Sequence, residues 1–150
     1  MSFVKIYLHV VWATKRREPF LKKSIRPILF QHILQNAREK GIYVDFINGV
    51  EDHVHCLISL GPTQNIANVM QLIKGESSFW ANKVELVPEK LTWAEEYFAV
   101  SVSQSQIENV RNYIKNQEEH HKKKSFQVEC DEFIEKYGFP IADLPSELKE

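Results

Sequence analysis

Apolar residues recur along the chain with two different periods, and their order predicts an α+β fold. Apolar runs rich in β-branched residues predict strands at 4–13, 42–48, 54–60 and 97–103. Apolar residues at helical spacing predict helices at 21–40, 65–84, 105–119 and 130–137. The β-α-β-β-α-β order is typical of a ferredoxin-like or RRM-like sandwich. Such a fold has a four- to five-stranded antiparallel sheet with two helices on one face and the other face available.

Individual residues refine the predicted helix ends. Pro27 moves the start of the first helix toward Ser24, and Gly41 ends that helix. Ser105 is predicted to cap the third helix, with Glu108 completing a capping box. The last helix is expected to end at Gly138, which leaves 140–150 as a loose tail.

The segment His53-Val54-His55 carries the first sign of chemistry. Alternate residues of a strand point to the same face, roughly 7 Å apart along the chain, so both imidazoles leave one side of the sheet. Val54, Cys56 and Ile58 then point toward the core. Two neutral imidazoles directed at one point make half of a metal site. Without a third ligand, the ordinary interpretation of an exposed or hydrogen-bonded pair stays open.

Tyr113 and Gln117 are candidates for completing such a site. They are four residues apart on the third predicted helix, so they lie on one helical face. A phenol and an amide carbonyl could serve as nucleophile and third metal ligand, although spacing alone favours an ordinary core-edge aromatic and a solvated amide. Asp52 could accept a hydrogen bond from an imidazole as an outer-shell residue, or it could cap the turn before the strand.

The order His53-Val54-His55, then Tyr113-Ile114-Lys115-Asn116-Gln117, resembles the single-tyrosine HUH transposases of bacterial insertion sequences. That family includes relatives associated with repetitive extragenic palindromes. Further segments that are similar to the family lie at 8–15, 72–78, 93–98, 117–123 and 125–126. The resemblance covers roughly residues 3–137.

The resemblance implies a fold, an activity and a set of site residues. The fold is the same sandwich with a C-terminal tyrosine-bearing helix over the available face. The activity is DNA transposition, a form of recombination in which single-stranded DNA is cut and rejoined at hairpin-flanked ends through a 5′-phosphotyrosine intermediate. Tyr113 would be the nucleophile, and His53, His55 and Gln117 would hold Mg²⁺ or Mn²⁺. The protein would be a homodimer in which each tyrosine helix serves the histidines of the partner chain.

Composition is compatible with one compact domain over 1–150, with its core at about 3–137. The chain has 150 residues, of which 43% are hydrophobic and 26% charged. No apolar run is long enough to predict a membrane span, and the N-terminus has no signal-peptide pattern. Cys56 and Cys130 show neither a disulfide framework nor zinc-ligand spacing. These features favour a reducing cytoplasm, and the resemblance implies a bacterial one, with nucleoid association when DNA is bound.

Charge is unevenly distributed. The net charge is −1, but residues 1–40 hold nine basic and two acidic residues, and residues 126–150 hold two basic and seven acidic ones. Such a balance allows one localised phosphate-binding surface. The candidates for DNA contacts are Lys15, Arg16, Arg17 and Lys74, and a solvated loop is an equally good interpretation of the basic run.

Two other classes of function fit the same pattern. A domesticated or non-catalytic module that binds single-stranded nucleic acid would keep the basic surface and would not need Tyr113. A metal-dependent nuclease would use water as nucleophile, so loss of the Tyr113 hydroxyl would leave cleavage intact and no protein–DNA adduct would form.

Overall fold

A computed structural model describes residues 2–123 and 125–137 and shows a four-stranded antiparallel sheet. The strands are β1 (Ile6–Ala13), β2 (Tyr43–Gly49), β3 (His53–Leu60) and β4 (Phe98–Val102), in the order β2-β3-β1-β4. β1 lies in the middle and pairs with β3 on one side and β4 on the other. The predicted α+β sandwich is therefore confirmed.

Five α-helices accompany the sheet in the described part of the chain. They are α1 (Arg26–Glu39), α2 (Ile66–Lys83), α3 (Ile107–Lys115), α4 (Gln117–Lys123) and α5 (Phe126–Tyr137). α1 and α2 pack on one face, where Val54, Cys56 and Ile58 join the main hydrophobic core as predicted. Among these five helices, none combines the length and the apolarity that crossing a membrane requires.

The first two helices begin at residues that suit helix starts. α1 starts at Arg26, and Pro27 falls in the first turn, where its missing N–H leaves no hydrogen bond unmade. Asn65 caps α2, because its side-chain oxygen accepts a hydrogen bond from the Asn68 backbone N–H at 2.9 Å. Gly41, with a φ of 74°, follows the end of α1 as predicted.

The predicted continuous helix over 105–119 is wrong. A short 3-10 turn at Gln104–Gln106 precedes α3. The helix is interrupted at Asn116, and α4 begins at the next residue. Ser105 makes no capping bond to α3, and Glu108 instead pairs with Arg111. A residue of β2 stabilises this interruption, because the Asn48 side-chain amide donates to the carbonyls of residues 114 and 115 at 3.0 and 3.1 Å. A continuous helix would direct these two carbonyls to the N–H groups of residues 118 and 119.

The last helix also begins earlier than the sequence predicts. It starts at Phe126 instead of residue 130, and the Ser125 hydroxyl accepts a hydrogen bond from the Val128 N–H at 3.3 Å. Ser125 is thus the helix-start signal that apolar periodicity does not reveal. The earlier start places Glu129 in the first turn of α5. The predicted end at Gly138 and the predicted loose tail lie outside the described residues.

Gly49 closes the turn that leads into His53. The Val50 N–H donates to the His53 carbonyl at 3.1 Å, so the backbones of β2 and β3 come close together at this point. A Cβ atom on Gly49 would lie 2.5 Å from that carbonyl oxygen and 3.2 Å from the Phe30 ring. Only glycine therefore fits without moving the start of β3.

We expect Gly49→Ala to destabilise the protein by roughly 1–3 kcal/mol, the usual cost of forcing an extra carbon into a packed site. Gly75→Ala is the matched control, because a Cβ there meets nothing within 4 Å and Gly75 lies in α2. It should stabilise the helix by about 0.5–1 kcal/mol. Urea unfolding measures both, and equal effects of the two substitutions would contradict the close approach at Gly49.

Candidate metal and tyrosine site

The register of the sheet brings three histidines to the face away from α1 and α2. His53 and His55 alternate with core residues on β3, and His9 on β1 is the cross-strand partner of Leu57. Cross-strand partners share a face, so His9 lies on the same side as His53 and His55. His9 Nε2 and His55 Nδ1 are 2.8 Å apart. All three imidazoles are buried.

α3 packs on this same face and carries Tyr113 to the histidines. Ile107 and Ile114 form a small second core with Leu57 of β3. The Arg111 guanidinium donates two hydrogen bonds to the Asp45 carboxylate, each 2.7 Å, which fixes the helix to β2. The Tyr113 ring centre then lies 5.7 Å from that of His55 and 5.9 Å from that of His9.

Gln117 is the first residue of α4, and its side chain is completely buried. Its amide nitrogen makes a long contact, 3.4 Å, to the Tyr113 carbonyl, while its Oε1 has no hydrogen-bond partner among the described residues. Arg26 holds the adjoining residue, since its guanidinium donates to the Glu118 carboxylate at 2.9 Å. A buried carbonyl without a partner costs roughly 1–3 kcal/mol, so this oxygen is suited to an electropositive ligand.

A further buried polar side chain, Glu129 of α5, lies among the histidines and Tyr113. Its two carboxylate oxygens are each 3.1 Å from an imidazole Nε2, one from His53 and one from His55. The Tyr113 hydroxyl also donates a hydrogen bond to Glu129. The sequence gives no sign of this arrangement, because Glu129 precedes the predicted helix and no spacing rule connects it with a strand 76 residues earlier.

Hydrogen bonds at the Nδ1 atoms of His53 and His55 select the tautomer of each imidazole. His53 Nδ1 is 2.7 Å from the Asp52 carboxylate, so a neutral His53 carries its proton there and keeps Nε2 available for a metal. The Asp52 carbonyl accepts the Thr14 N–H at 2.9 Å, which holds the turn against the end of β1. In the same way, His55 Nδ1 can donate to His9 and leave its own Nε2 directed at Glu129.

Burial and charge set the protonation of the metal-free cluster. Burial lowers the pKa of His53, but hydrogen bonds to Asp52 and Glu129 outweigh it and raise that pKa to about 9. Burial and the neighbouring His55 lower the pKa of His9 to about 3, which keeps His9 neutral. Burial raises the pKa of Tyr113 well above its usual range, and the Glu129 charge adds to this effect. The Tyr113 hydroxyl therefore stays protonated unless a positive charge comes close.

The donor set fits a divalent metal ion. The ligand atoms of His53, His55 and Glu129 all lie within 4.8 Å of one another. The sequence-predicted ligand Gln117 is buried on α4, and its Oε1 has no hydrogen-bond partner among the described residues. Imidazole nitrogens suit transition metals, and carboxylate and carbonyl oxygens suit Mg²⁺ and Mn²⁺. The buried Gln117 oxygen supports an ion here, because no hydrogen bond among the described residues satisfies it.

The predicted DNA-contacting residues lie in two places. The turn Lys15–Arg17 follows β1, and Ala13 at the end of β1 pairs with His53, so the basic turn is at the histidine end of the sheet. Lys74 lies on α2, where its ammonium donates to the carbonyls of Ala94 and Glu95 at 2.7 Å each. Lys74 therefore holds a loop in place, and the DNA contacts of all four residues stay predictions.

The site combines two strand histidines with one helical tyrosine on one face of an antiparallel sheet. The chain belongs to the IS200-like transposase family, because the family model described as "Transposase IS200 like" matches residues 2–117. The ISDra2 transposase TnpA of Deinococcus radiodurans is 28% identical over an aligned length of 116 residues, and the alignment covers 73% of this chain and 81% of that protein. The resemblance to this transposase family is thus confirmed.

Solved structures agree with this assignment. A crystal structure from Deinococcus radiodurans R1, described as a transposase, is 26% identical with a TM-score of 0.60 and covers 77% of this chain and 93% of that chain. A REP-associated tyrosine transposase bound to a REP hairpin is 14% identical with a TM-score of 0.57, covering 77% and 68%. At that identity the second structure shows a shared fold alone.

A single chain brings Tyr113 to its own histidines in this structure. The family resemblance implies that the tyrosine helix serves a partner chain, and that homodimer stays a prediction. Two chains that exchanged α3 would rebuild the same Arg111–Asp45 and Asn48 contacts between them.

The raised pKa of His53 predicts how stability depends on pH in the metal-free protein. An unfolded imidazole titrates near 6.5 and the folded one near 9, so the folded state holds this proton more tightly. The stabilisation is complete below about pH 6.5 and is lost as the pH rises through about 9. Thermal melts in the presence of a chelator should show the melting temperature falling across this window.

His53→Asn is the control for this titration. Its melting temperature should change less than that of the unsubstituted protein between pH 6.5 and 9, because the titrating imidazole is gone. The same fall in both proteins would show that other groups cause it.

Proposed function

We propose that this protein is a transposase that cuts and rejoins single-stranded DNA through a covalent bond to Tyr113. The observation that carries the proposal is the placement of the Tyr113 hydroxyl in one buried cluster with the Nε2 atoms of His53 and His55. An enzyme using water as nucleophile has no need of a tyrosine at this position. A binding module has no need of a buried cluster of histidine and carboxylate side chains.

The chemical step exchanges one phosphate ester bond for another. The Tyr113 oxygen forms a bond to a backbone phosphorus, and the bond from that phosphorus to the 3′ oxygen breaks. The product is a 5′-phosphotyrosine and a free 3′-hydroxyl, and the proton that Tyr113 loses balances the proton that the 3′ oxygen gains. Attack by another 3′-hydroxyl reverses the step and rejoins DNA, so the bond energy is conserved.

His53, His55 and Gln117 are the residues that would hold Mg²⁺ or Mn²⁺. When bound there, such an ion would supply positive charge to polarise a phosphate oxygen and to favour loss of the tyrosine proton. Asp52 and His9 keep both Nε2 atoms unprotonated on the metal side when the imidazoles are neutral. Imidazole ligands favour Mn²⁺ over Mg²⁺, although Mg²⁺ is the more abundant ion in cells.

The substrate would be single-stranded DNA with a hairpin at the ends of an insertion sequence. The related fold bound to a REP hairpin supports this substrate class. The turn Lys15–Arg17 lies beside the histidine end of the sheet, and its positive charge would attract the phosphates of a DNA strand entering the site. Such a protein would act in the bacterial cytoplasm, at the nucleoid.

An adduct experiment tests the nucleophile. The protein is mixed with Mn²⁺ and labelled single-stranded DNA that contains imperfect hairpins and the genomic flanks of its own gene. We expect a protein–DNA species that survives a denaturing gel and is lost in Tyr113→Phe. Tyr43→Phe is the matched control, because Tyr43 is an exposed tyrosine of β2 and should form the adduct normally.

Two outcomes would contradict the proposal. Cleavage that persists in Tyr113→Phe without an adduct would indicate a nuclease that uses water. Hairpin binding without cleavage in any variant would indicate a domesticated or non-catalytic binding module.

The homodimer is tested by mixing two inactive variants, His55→Ala and Tyr113→Phe. If chains exchange the tyrosine helix, one composite site of the mixed dimer keeps both an intact histidine pair and a tyrosine. We therefore expect the mixture to regain adduct formation that neither variant shows alone. A mixture that stays inactive while the two chains co-purify would contradict exchange and indicate that each chain uses its own tyrosine.

A further inference from the structure

Glu129 is a buried carboxylate in the site that the family match does not include. The family model ends at residue 117, whereas Glu129 lies twelve residues further on, in the first turn of α5. It is 5% exposed, and it contacts the two histidines and the tyrosine that the proposed function uses. The residue next to it, Cys130, is fully buried, so α5 packs against the protein at this point.

The distances around Glu129 correspond to a metal coordination shell. Two donor atoms bound at right angles to one ion, each roughly 2.1 Å from it, lie about 3 Å apart. Each carboxylate oxygen of Glu129 is 3.1 Å from one imidazole Nε2, which is the spacing of neighbouring ligands. An ion between the three side chains would replace these contacts without a large movement of α5.

We propose that Glu129 is a fourth protein ligand of the divalent ion, so that α5 forms part of the metal centre. This inference rests on the proposed function for the ion and for His53, His55 and Gln117, and it adds a residue to that site. With four protein donors, Mg²⁺ or Mn²⁺ would still be able to take oxygen ligands from DNA or water.

A carboxylate ligand also changes the chemistry of the site. Two imidazoles and an amide are neutral, so without Glu129 the ion would carry its full double charge in a buried place. One negative ligand lowers the cost of burying that charge. It also supplies the type of oxygen that Mg²⁺ prefers and so lessens the preference for Mn²⁺ that the histidines alone would give.

The competing interpretation is that Glu129 only pairs with protonated histidines and must leave before an ion and a phosphate can enter. The two interpretations predict opposite effects of removing the charge. Loss of a ligand weakens metal binding, whereas loss of a competing anion strengthens it or leaves it unchanged.

The test measures Mn²⁺ binding to the full chain without DNA, by electron paramagnetic resonance and titration calorimetry. Glu129→Gln keeps the shape of the side chain and removes its charge. We expect it to weaken Mn²⁺ binding at least as much as the roughly 10- to 100-fold that loss of an outer-shell partner costs. Asp131→Asn is the matched control, because it removes an exposed carboxylate from the same helix and should bind Mn²⁺ normally.

A second variant and a folding measurement guard against misinterpretation. Glu129→Asp keeps the carboxylate, so it should bind Mn²⁺ more tightly than Glu129→Gln. Circular dichroism of each variant in a chelator establishes that it is folded before metal is added. Equal or tighter Mn²⁺ binding by folded Glu129→Gln, or equal weakening by Asp and Gln, would overturn the proposal.

The proposed function and this inference fail in different ways. If the unsubstituted protein binds Mn²⁺ and forms the Tyr113 adduct while Glu129→Gln binds Mn²⁺ equally well, only the role of Glu129 is rejected. If the unsubstituted protein binds no Mn²⁺, and the His53→Asn variant behaves identically, both the metal site and its fourth ligand are rejected.

Discussion

The site depends on the burial of polar side chains between a sheet and the helices that cross its second face. A buried polar group needs a partner, or it costs roughly 1–3 kcal/mol. Asp52 and His9 satisfy the Nδ1 atoms of His53 and His55, so both Nε2 atoms are directed to the same place. The buried Gln117 oxygen has no hydrogen-bond partner among the described residues, and an ion could supply one.

Both apolar packing and polar contacts hold α3 to this face. Ile107 and Ile114 bury a small surface on the sheet, but Arg111 fixes the rotation of α3 through Asp45. The Asn48 side chain donates hydrogen bonds to the last two carbonyls of α3, which satisfies them where the helix stops before α4. The helix break therefore makes Gln117 the first residue of a separate helix, where its side chain is buried.

Sequence patterns predicted the parts of this arrangement that depend on local periodicity. The alternation of His53 and His55 with Val54 and Cys56 fixes which face each side chain takes, and the structure confirms the core positions. The position of His9 needed the strand register, which no local pattern contains. Glu129 could not be predicted because its contacts join residues 76 positions apart and its helix starts at a Ser125 cap outside the apolar repeat.

The measurement that tests the central claim most directly is mass spectrometry of the protein after reaction with single-stranded DNA. Digestion with protease and nuclease would leave a nucleotide on the residue that attacked the phosphate. A nucleotide on the peptide that contains Tyr113, linked through the tyrosine oxygen, is the predicted result. A nucleotide on any other residue, or DNA cut with no modified peptide, would contradict the assignment of Tyr113 as nucleophile.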